Sequence, residues 1–133
     1  MCLVISLRYH KYRLEPLIAN EDILVYKRLN HYGKSKDYYT PVMDTIVNFN
    51  MNKAILQDNF SFLMGCVENG IHSYVEKRFT TGMHYAIIPK GTKFFIGCEG
   101  DVVSEKLIIY KRKPLFFKRC NMQEYIAKNN LLA

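Results

Sequence analysis

The chain has 133 residues, of which 49% are hydrophobic and 23% charged, and a formal net charge of +7 at pH 7. This length supports one hydrophobic core, so residues 1–133 are predicted to form a single domain. No apolar run reaches the roughly 18 residues that cross a bilayer, and the opening stretch MCLVISLRYH lacks the pattern of a secretory signal. We therefore expect a soluble, cytoplasmic protein without a membrane span, and its positive charge favours an anionic partner.

The four cysteines predict neither a disulfide framework nor a metal site. They stand far apart, at Cys2, Cys66, Cys98 and Cys120, with no Cys-x-x-Cys pair and no histidine at zinc-finger spacing. In a reducing compartment such residues are typically free thiols or small buried hydrophobes. Cys2 has an alternative role: after removal of the initiator methionine, its thiol would lie beside a free α-amine, as in an N-terminal nucleophile.

The first half of the chain is predicted to be rich in β-strands. Residues 2–7 and 23–29 are short apolar, β-prone runs, and residues 43–49 alternate as a half-buried strand does. Between them, the loop of residues 31–41 contains Tyr38 and Tyr39, which we expect to contact a ligand. The stretch 51–66 fits neither the helical nor the strand period. There we expect a short element followed by a strand that ends at Val67.

His72 has the most suggestive position of the four histidines, between a turn containing Gly70 and a predicted helix start. Ser73 and Glu76 have the spacing of a capping box, which predicts a short helix to about residue 79. The partial positive charge of that helix end would attract anions and keep His72 neutral. Two roles for His72 stay open: a functional group in a site, or a satisfied structural residue at a strand end.

Residues 83–111 are predicted to form a β-meander, because three β-prone runs are separated by two turn signals. In the first turn Pro89 suits position i+1 and Gly91 position i+3 of a type I turn. In the second, Gly100 supplies a residue able to take positive φ.

A C-terminal helix is predicted to begin at Asn121 and to cover a face of the sheet. Met122, Tyr125, Ile126 and Asn129 recur on one side of it. Runs of strands with few helices indicate the α+β class. The predicted architecture is a bent, mostly antiparallel sheet with a short helix after His72 and this C-terminal helix.

Basic residues cluster near the end of the last predicted strand, interleaved with aromatic residues and without an acid. This basic run consists of Lys106, Lys111, Arg112, Lys113, Lys118 and Arg119. Such a run attracts polyanions, and Lys27 and Arg28 could extend it. Alternatively, it is a solvated strand end that keeps the protein soluble. As a binding surface, the basic run is expected to share a pocket with His72.

Four short motifs follow one another along the chain: VYK (residues 25–27), GIHSY (70–74), IIPKGTKFFIG (87–97) and VVSEKLIIY (102–110). In this order they resemble a group of small, uncharacterised phage and phage-related proteins that begin Met-Cys-Leu. The resemblance covers much of the chain. It implies a small phage-type protein that works in the cytoplasm of a host cell.

The same order of motifs more distantly resembles the ADP-ribosyltransferase superfamily, in which three such segments hold NAD. On that resemblance the three places would be taken by Tyr26 or Lys27, by His72 with Tyr74, and by Glu105. The glutamate would stabilise the oxocarbenium-like centre that forms as nicotinamide leaves, and an aromatic ring would stack on the nicotinamide.

We expect a small basic binding protein without enzymatic activity and without a cofactor. Its anionic host target would be a nucleic acid, a nucleotide signal or a nucleic-acid-binding complex, and the protein could act as an inhibitor of host defence. In such a site the basic residues would meet phosphates while Tyr38, Tyr39 or Tyr74 stacks on a base. An NAD-using ADP-ribosyltransferase is the alternative.

Overall fold

The chain folds into mostly antiparallel β-sheet, seen in a computed structural model that describes residues 3–33, 37–41, 45–77, 82–115 and 117–131. Within those ranges there is one α-helix, which is short and lies near the C-terminal end. The elements in chain order are β1 (Leu3–Val4), a 3-10 helix (Leu7–His10), β2 (Leu17–Ile18), β3 (Ile23–Arg28), β4 (Tyr38–Tyr39), β5 (Ile46–Val47), β6 (Lys53–Gln57), β7 (Ser61–Leu63), β8 (Cys66–Asn69), β9 (Ile71–Tyr74), β10 (Met83–Ile88), β11 (Lys93–Ile96), β12 (Asp101–Ser104), β13 (Lys106–Tyr110), β14 (Cys120–Asn121) and α1 (Met122–Lys128).

Part of the largest sheet forms a ring that is closed by the chain itself. Its strands lie in the order β2-β11-β12-β9-β3-β10-β13-β6, and β14 is added parallel to β3. Along the chain, Glu105 alone separates β12 from β13. The strands β12, β9, β3, β10 and β13 are hydrogen-bonded neighbours in this order. Because β12 continues directly into β13 along the chain, these strands form a ring that is closed at Glu105. The predicted mostly antiparallel sheet is confirmed.

Side-chain alternation gives the ring an inner and an outer face. On β3, Ile23 and Val25 are buried in the main hydrophobic cluster, where their register partners on β10, Ile88 and Ala86, join them. Lys27 follows with the same period of two and so lies on this inner face. The outer face carries the residues between them, including Tyr26.

A second hydrophobic cluster attaches the small sheet β1-β8-β7 to the outside of the ring. Leu3 of β1 and Val67 of β8 are fully buried there against Phe95 and Val103. Since Val102 belongs to the main cluster and Val103 to this one, β12 is buried on both faces.

The predicted C-terminal helix is confirmed, including its start. The Oδ1 atom of Asn121 accepts a hydrogen bond from the Glu124 amide at 2.8 Å, and its Nδ2 donates to Oε1 of Glu124 at 2.8 Å. Met122, Tyr125 and Ile126 are buried in the main cluster, as their helical spacing predicts.

The helix predicted after His72 is wrong in the described residues. Ser73 lies inside β9 opposite Val102, and its hydroxyl is buried without a hydrogen-bonding partner. Residues 75–77 are not helical, and the side chain of Glu76 accepts a hydrogen bond from Gln123 of α1 instead of closing a capping box. Strand pairing on the ring outweighs the local capping signal here. Residues 78–81, the rest of the predicted helix, lie outside the described residues.

The predicted β-meander is right in its second half, where β11 and β12 form an antiparallel pair, and wrong in its first half. β10 pairs with β3 and β13, whereas β11 pairs with β12 and β2, so β10 and β11 are not neighbours. The amide of Thr92 donates to the Pro89 carbonyl, which makes Pro89 position i and places Gly91, with φ of 89°, at i+2. This is the glycine position of a type II turn rather than of type I. Gly100 takes a positive φ as expected.

Predicted strand limits in the first half are partly right. The strand of residues 23–29 is confirmed as β3, whereas the strand predicted over residues 2–7 ends at Val4 in β1, and a 3-10 helix begins at Leu7. Residue 2 lies outside the described residues, as do residues 43 and 44 of the strand predicted over 43–49, of which β5 is the described part. The ambiguous stretch 51–66 contains β6 and β7 and the first residue of β8.

None of the described helices is long and apolar enough to cross a membrane. The described cysteines, Cys66, Cys98 and Cys120, are free thiols.

Candidate functional site

A cleft of about 320 Å³ lies where the end of β3 meets β9 and the end of β6. Its volume is within the range of small-molecule sites in proteins. The residues that line it and matter for recognition are Lys27, Arg28, Leu56, Asp58, His72 and Tyr74.

Lys27 is the most unusual residue of the cleft. It is buried, with 7% of its surface exposed, because the alternation of β3 places it on the inner face after Ile23 and Val25. Its Nζ donates one hydrogen bond, of 2.7 Å, to the backbone carbonyl of His72. Among the described residues, no carboxylate lies within salt-bridge distance of this ammonium group.

Burial lowers the pKa of Lys27 to about 8. At neutral pH the side chain therefore still carries its charge for most of the time. An ammonium group has three N–H donors, and one of them has a partner among the described residues. The other two N–H groups of this buried cation have no partner among the described residues.

His72 supports Lys27 through its backbone rather than its ring. Both ring nitrogens are buried and have no hydrogen-bonding partner among the described residues. Burial lowers the pKa of His72, and the nearby charge of Lys27 lowers it further, while the backbone of Glu68 has a weaker opposing effect. The ring is neutral at physiological pH, as expected, but burial and Lys27 cause this, since no helix begins there.

The rest of the cleft combines apolar walls with a charged rim. Leu56, Ile71 and Pro41 are half-buried and supply apolar surface. Arg28 and Asp58 are exposed at the rim. Such a lining suits a small ligand with an apolar body and an anionic group directed at Lys27.

Four of the residues proposed from the sequence line this cleft together: Lys27, Arg28, His72 and Tyr74. None of the six residues of the basic run lines it, although all six are described. Lys106 comes nearest in the sheet, since it is the register partner of Gln57, another cleft residue.

The basic run does not form one surface. The Nζ atoms of Lys111 and Lys113 lie 5.7 Å and 5.3 Å from the ring centroids of Tyr38 and Tyr85, respectively. The backbone of Arg112 exchanges two hydrogen bonds, each of 2.8 Å, with the side chain of Asn52.

The other end of the basic run lies in a different depression. Lys118 and Arg119 line it together with Asp22, and Arg119 forms a salt bridge of 3.6 Å with that carboxylate. The run is divided because part of it directly follows β13, which ends at Tyr110, and part directly precedes β14, which begins at Cys120. Phe116, which lies within the run in sequence, is outside the described residues.

Tyr38 and Tyr39 lie outside the cleft, although the residues that follow them, Thr40 and Pro41, line it. The ring of Tyr38 stacks on His31, with centroids 4.5 Å apart, and meets the edge of His84 at 5.2 Å. Tyr39 contacts the ring of Tyr32 at 5.5 Å. Both tyrosines pack against neighbouring aromatic rings.

The residues of the ADP-ribosyltransferase alternative are brought together in part. Tyr26 and Tyr74 are direct register partners on β3 and β9. Tyr26 does not line the cleft, and neither does Glu105, which lies at the junction of β12 and β13. The backbone of Glu105 fixes that junction, since its amide donates to the Lys93 carbonyl and its carbonyl accepts from the Asp58 amide.

Two features of the cleft were missed from the sequence. Asp58 and Leu56 belong to the stretch whose period was ambiguous, so no signal pointed to them. The burial of Lys27 had a signal, because Ile23, Val25 and Lys27 alternate with Leu24 and Tyr26 along a predicted strand.

No protein-family model, curated protein or solved structure matches the chain. Within the part of the chain that the structure describes, no group of three or more His, Cys, Asp or Glu side chains is arranged to hold a metal ion.

Proposed function

We propose that this chain is a binding protein that takes up a small anionic molecule in the cleft, with Lys27 as the group that recognises its charge. The observation that carries the proposal is the buried ammonium of Lys27, which has one backbone hydrogen bond and no carboxylate partner among the described residues. Buried cations in proteins are normally paired, so a ligand anion is the natural partner here.

The electrostatics favour such a ligand. An isolated ammonium group loses hydration when it is buried, and the lowered pKa of Lys27 measures that cost. A carboxylate or phosphate oxygen within hydrogen-bonding distance of Nζ would restore the lost interaction in a medium of low dielectric constant. Binding would therefore raise the pKa of Lys27 toward its ordinary range.

The size and lining of the cleft narrow the class of ligand. A volume of about 320 Å³ accommodates a molecule no larger than about a mononucleotide. Tyr74 offers an aromatic surface beside the cation, which would suit a nucleobase or another planar ring. A phosphorylated small molecule with a planar group, such as a nucleotide, fits both properties.

The resemblance to phage proteins extends this proposal to a biological role. A protein that sequesters a nucleotide signal of the host, without converting it, would act as an inhibitor of host defence. Such a role needs affinity and a closed binding site but no catalytic group.

Isothermal titration of the purified protein with a panel of nucleotides, sugar phosphates and dicarboxylates at pH 7 tests the proposal. NAD belongs in the panel, with the products analysed by mass spectrometry, because nicotinamide release would instead indicate the transferase alternative. We expect binding of at least one anionic compound, lost in Lys27→Met and kept in Lys93→Met, a substitution of an exposed lysine on β11. Binding that is unchanged in Lys27→Met would refute the proposed site.

A further inference from the structure

Three tyrosines form a row on the outer face of the ring. Tyr74 of β9 is the register partner of Tyr26 of β3, and Tyr26 is in turn the register partner of Tyr85 of β10. All three are partly exposed, and the ring centroids of Tyr26 and Tyr85 lie 5.4 Å apart. Neighbouring strands of a sheet are about 4.8 Å apart, so the rings are spaced much as the strands are.

The row continues onto a fourth strand through Phe117. The ring of Phe117 lies 6.0 Å from that of Tyr85 and 5.2 Å from that of Tyr110, at the end of β13. Tyr110 is buried, so Phe117 covers it and leaves Tyr26 and Tyr85 as the accessible rings in the middle of the row.

Two lysines converge on one ring of the row. The Nζ of Lys77 lies 4.4 Å from the Tyr85 centroid and 5.7 Å from that of Tyr26, and it donates a 3.0 Å hydrogen bond to the Tyr85 hydroxyl. The Nζ of Lys113 lies 5.3 Å from the same Tyr85 centroid.

These two ammonium groups have no acidic partner among the described residues. Their convergence creates a local positive potential beside two neighbouring aromatic rings, whose planes are inclined to each other by 56°. The hydrogen bond from Lys77 is the main cause of a lowered pKa of Tyr85, which agrees with that potential. An anion bound near Tyr85 would interact favourably with both ammonium groups.

We propose that this row, formed by Tyr26, Tyr85, Lys77 and Lys113, binds single-stranded nucleic acid. Nucleobases would stack on Tyr26 and Tyr85, while the two lysines contact the phosphates between them. A nucleic acid suits this surface better than an acidic peptide does, because each aromatic ring can stack on one unpaired base, whatever the sequence, while an acidic peptide would use only the charge. A duplex is a poor ligand, since its bases are already stacked and paired.

This site is separate from the cleft of the proposed function. Tyr26, Tyr85, Lys77 and Lys113 do not line the cleft, whereas Tyr74 lies at the boundary of both. For this reason Tyr74 is left unchanged in the test, so that failure at one site can be told from failure at the other.

The test measures the fluorescence anisotropy of a labelled single-stranded oligonucleotide of about 20 nucleotides at several salt concentrations. We expect binding that weakens steeply with salt. The double variant Lys77→Gln, Lys113→Gln should weaken binding and reduce the salt slope by roughly 1.4, because each phosphate that is no longer neutralised lowers the slope by about 0.7. Tyr85→Leu should weaken binding by about tenfold or more, since one base no longer stacks on an aromatic ring.

Three controls decide the outcome. Lys11→Gln, at an exposed lysine after the 3-10 helix, should leave affinity unchanged. A hairpin duplex of the same length should bind more weakly than the single strand. A thermal melt shows whether Tyr85→Leu folds, and if it does not, the two-lysine variant serves in its place because both its changes remove surface charge. Absence of binding at low salt, equal affinity for the duplex, or wild-type affinity in the two-lysine variant would each overturn the proposal.

Discussion

The ammonium nitrogen of Lys27 lies 2.7 Å from the carbonyl oxygen of His72, and this contact joins β3 to β9 at the closed side of the cleft. A backbone carbonyl satisfies one N–H group but does not neutralise a positive charge. Lys27 therefore has no anionic partner among the described residues, and the consequences of its burial can be measured.

Replacing Lys27 with methionine is expected to stabilise the ligand-free protein. Methionine fills a similar volume without a charge, so the free energy of unfolding at pH 7 should rise by about 1 to 3 kcal/mol. The upper value follows from lowering the pKa from 10.5 to about 8. Urea unfolding of wild type, Lys27→Met and Lys93→Met measures this, and Lys93→Met should stay within about 0.5 kcal/mol of wild type. A less stable Lys27→Met protein would contradict the prediction.

The gain from Lys27→Met should depend on pH in a defined direction. Because the pKa of Lys27 is lower in the folded protein, the unfolded chain holds this proton more tightly, and raising the pH favours folding. Below about pH 8, burying the charged Lys27 side chain lowers the free energy of unfolding by its full amount, and this loss disappears as the pH rises toward 10.5. The difference in stability between the variant and wild type should therefore shrink over this window, which unfolding curves at pH 7, 9 and 10 can show.

Ligand affinity should depend on the same proton. An anionic ligand requires protonated Lys27, so affinity should fall as pH rises through about 8, by up to tenfold per pH unit above it. Calorimetric titration at pH 7, 8 and 9, with a ligand whose own charge is constant there, measures this. A flat profile would mean that Lys27 does not contact the anion.

His10 should make folding sensitive to acid. It is 4% exposed, its Nε2 accepts a hydrogen bond from the Ile96 amide at 3.0 Å, and its Nδ1 lies 3.0 Å from the Glu15 carbonyl. Only the neutral ring with its proton on Nδ1 satisfies both contacts. Burial lowers the pKa of His10 below the value of about 6.5 that it has in the unfolded chain. The stability that the neutral ring contributes above pH 6.5 is therefore lost as the pH falls below that value.

The variant His10→Ala should lower the free energy of unfolding at pH 7 by about 2 to 3 kcal/mol, since the buried Ile96 amide loses its acceptor. It should also reduce the loss of stability between pH 7 and 5.5, measured by urea unfolding at both values. The loss will not vanish, because burial also lowers the pKa of His72 and of His84. Lys93→Met, at an exposed lysine on β11, is the control and should keep the wild-type acid sensitivity.

Alanine substitutions at two glycines with positive φ should distinguish the free-energy cost of steric crowding from that of backbone strain. Gly70 has φ of 131°, and a Cβ there would lie 2.5 Å from Val103 Cγ2 and 3.0 Å from Phe60 Cδ1. Gly91 has φ of 89° but open space around that position. We expect Gly91→Ala to cost about 1 kcal/mol and Gly70→Ala about 1 to 3 kcal/mol more, since it also overpacks the second hydrophobic cluster. Equal losses in thermal unfolding would show that the packing around Gly70 adjusts freely.

The sequence predicted those parts of the fold that depend on local signals. The cap at Asn121 and the buried side of α1 are local, and both are confirmed. Ser73 and Glu76 carried an equally good local signal, yet Ser73 pairs with Val102 across the sheet. Long-range pairing decided that position, and a single sequence contains no record of such pairing.

The candidate site was predictable to a similar extent. Lys27, Arg28, His72 and Tyr74 were named from short motifs, and they lie around one cleft. Their grouping depends on the closure of the ring, which brings the end of β6 beside β9. That closure depends on a bend at Glu105, where the sequence shows an uninterrupted β-prone run. The basic run looked continuous in the sequence, but β13 ends at Tyr110, between Lys106 and Lys111, so the run is not part of one strand.

The junction at Glu105 also constrains how the protein can be made in the cell. β12 and β13, on the two sides of Glu105, form hydrogen bonds with β6, β9, β10 and β11. The ring therefore cannot close until β12 and β13 have been synthesised. While the ribosome still holds these two strands, the earlier strands expose unpaired edges. Productive folding must therefore wait until the chain has left the exit tunnel as far as the end of β13 at Tyr110.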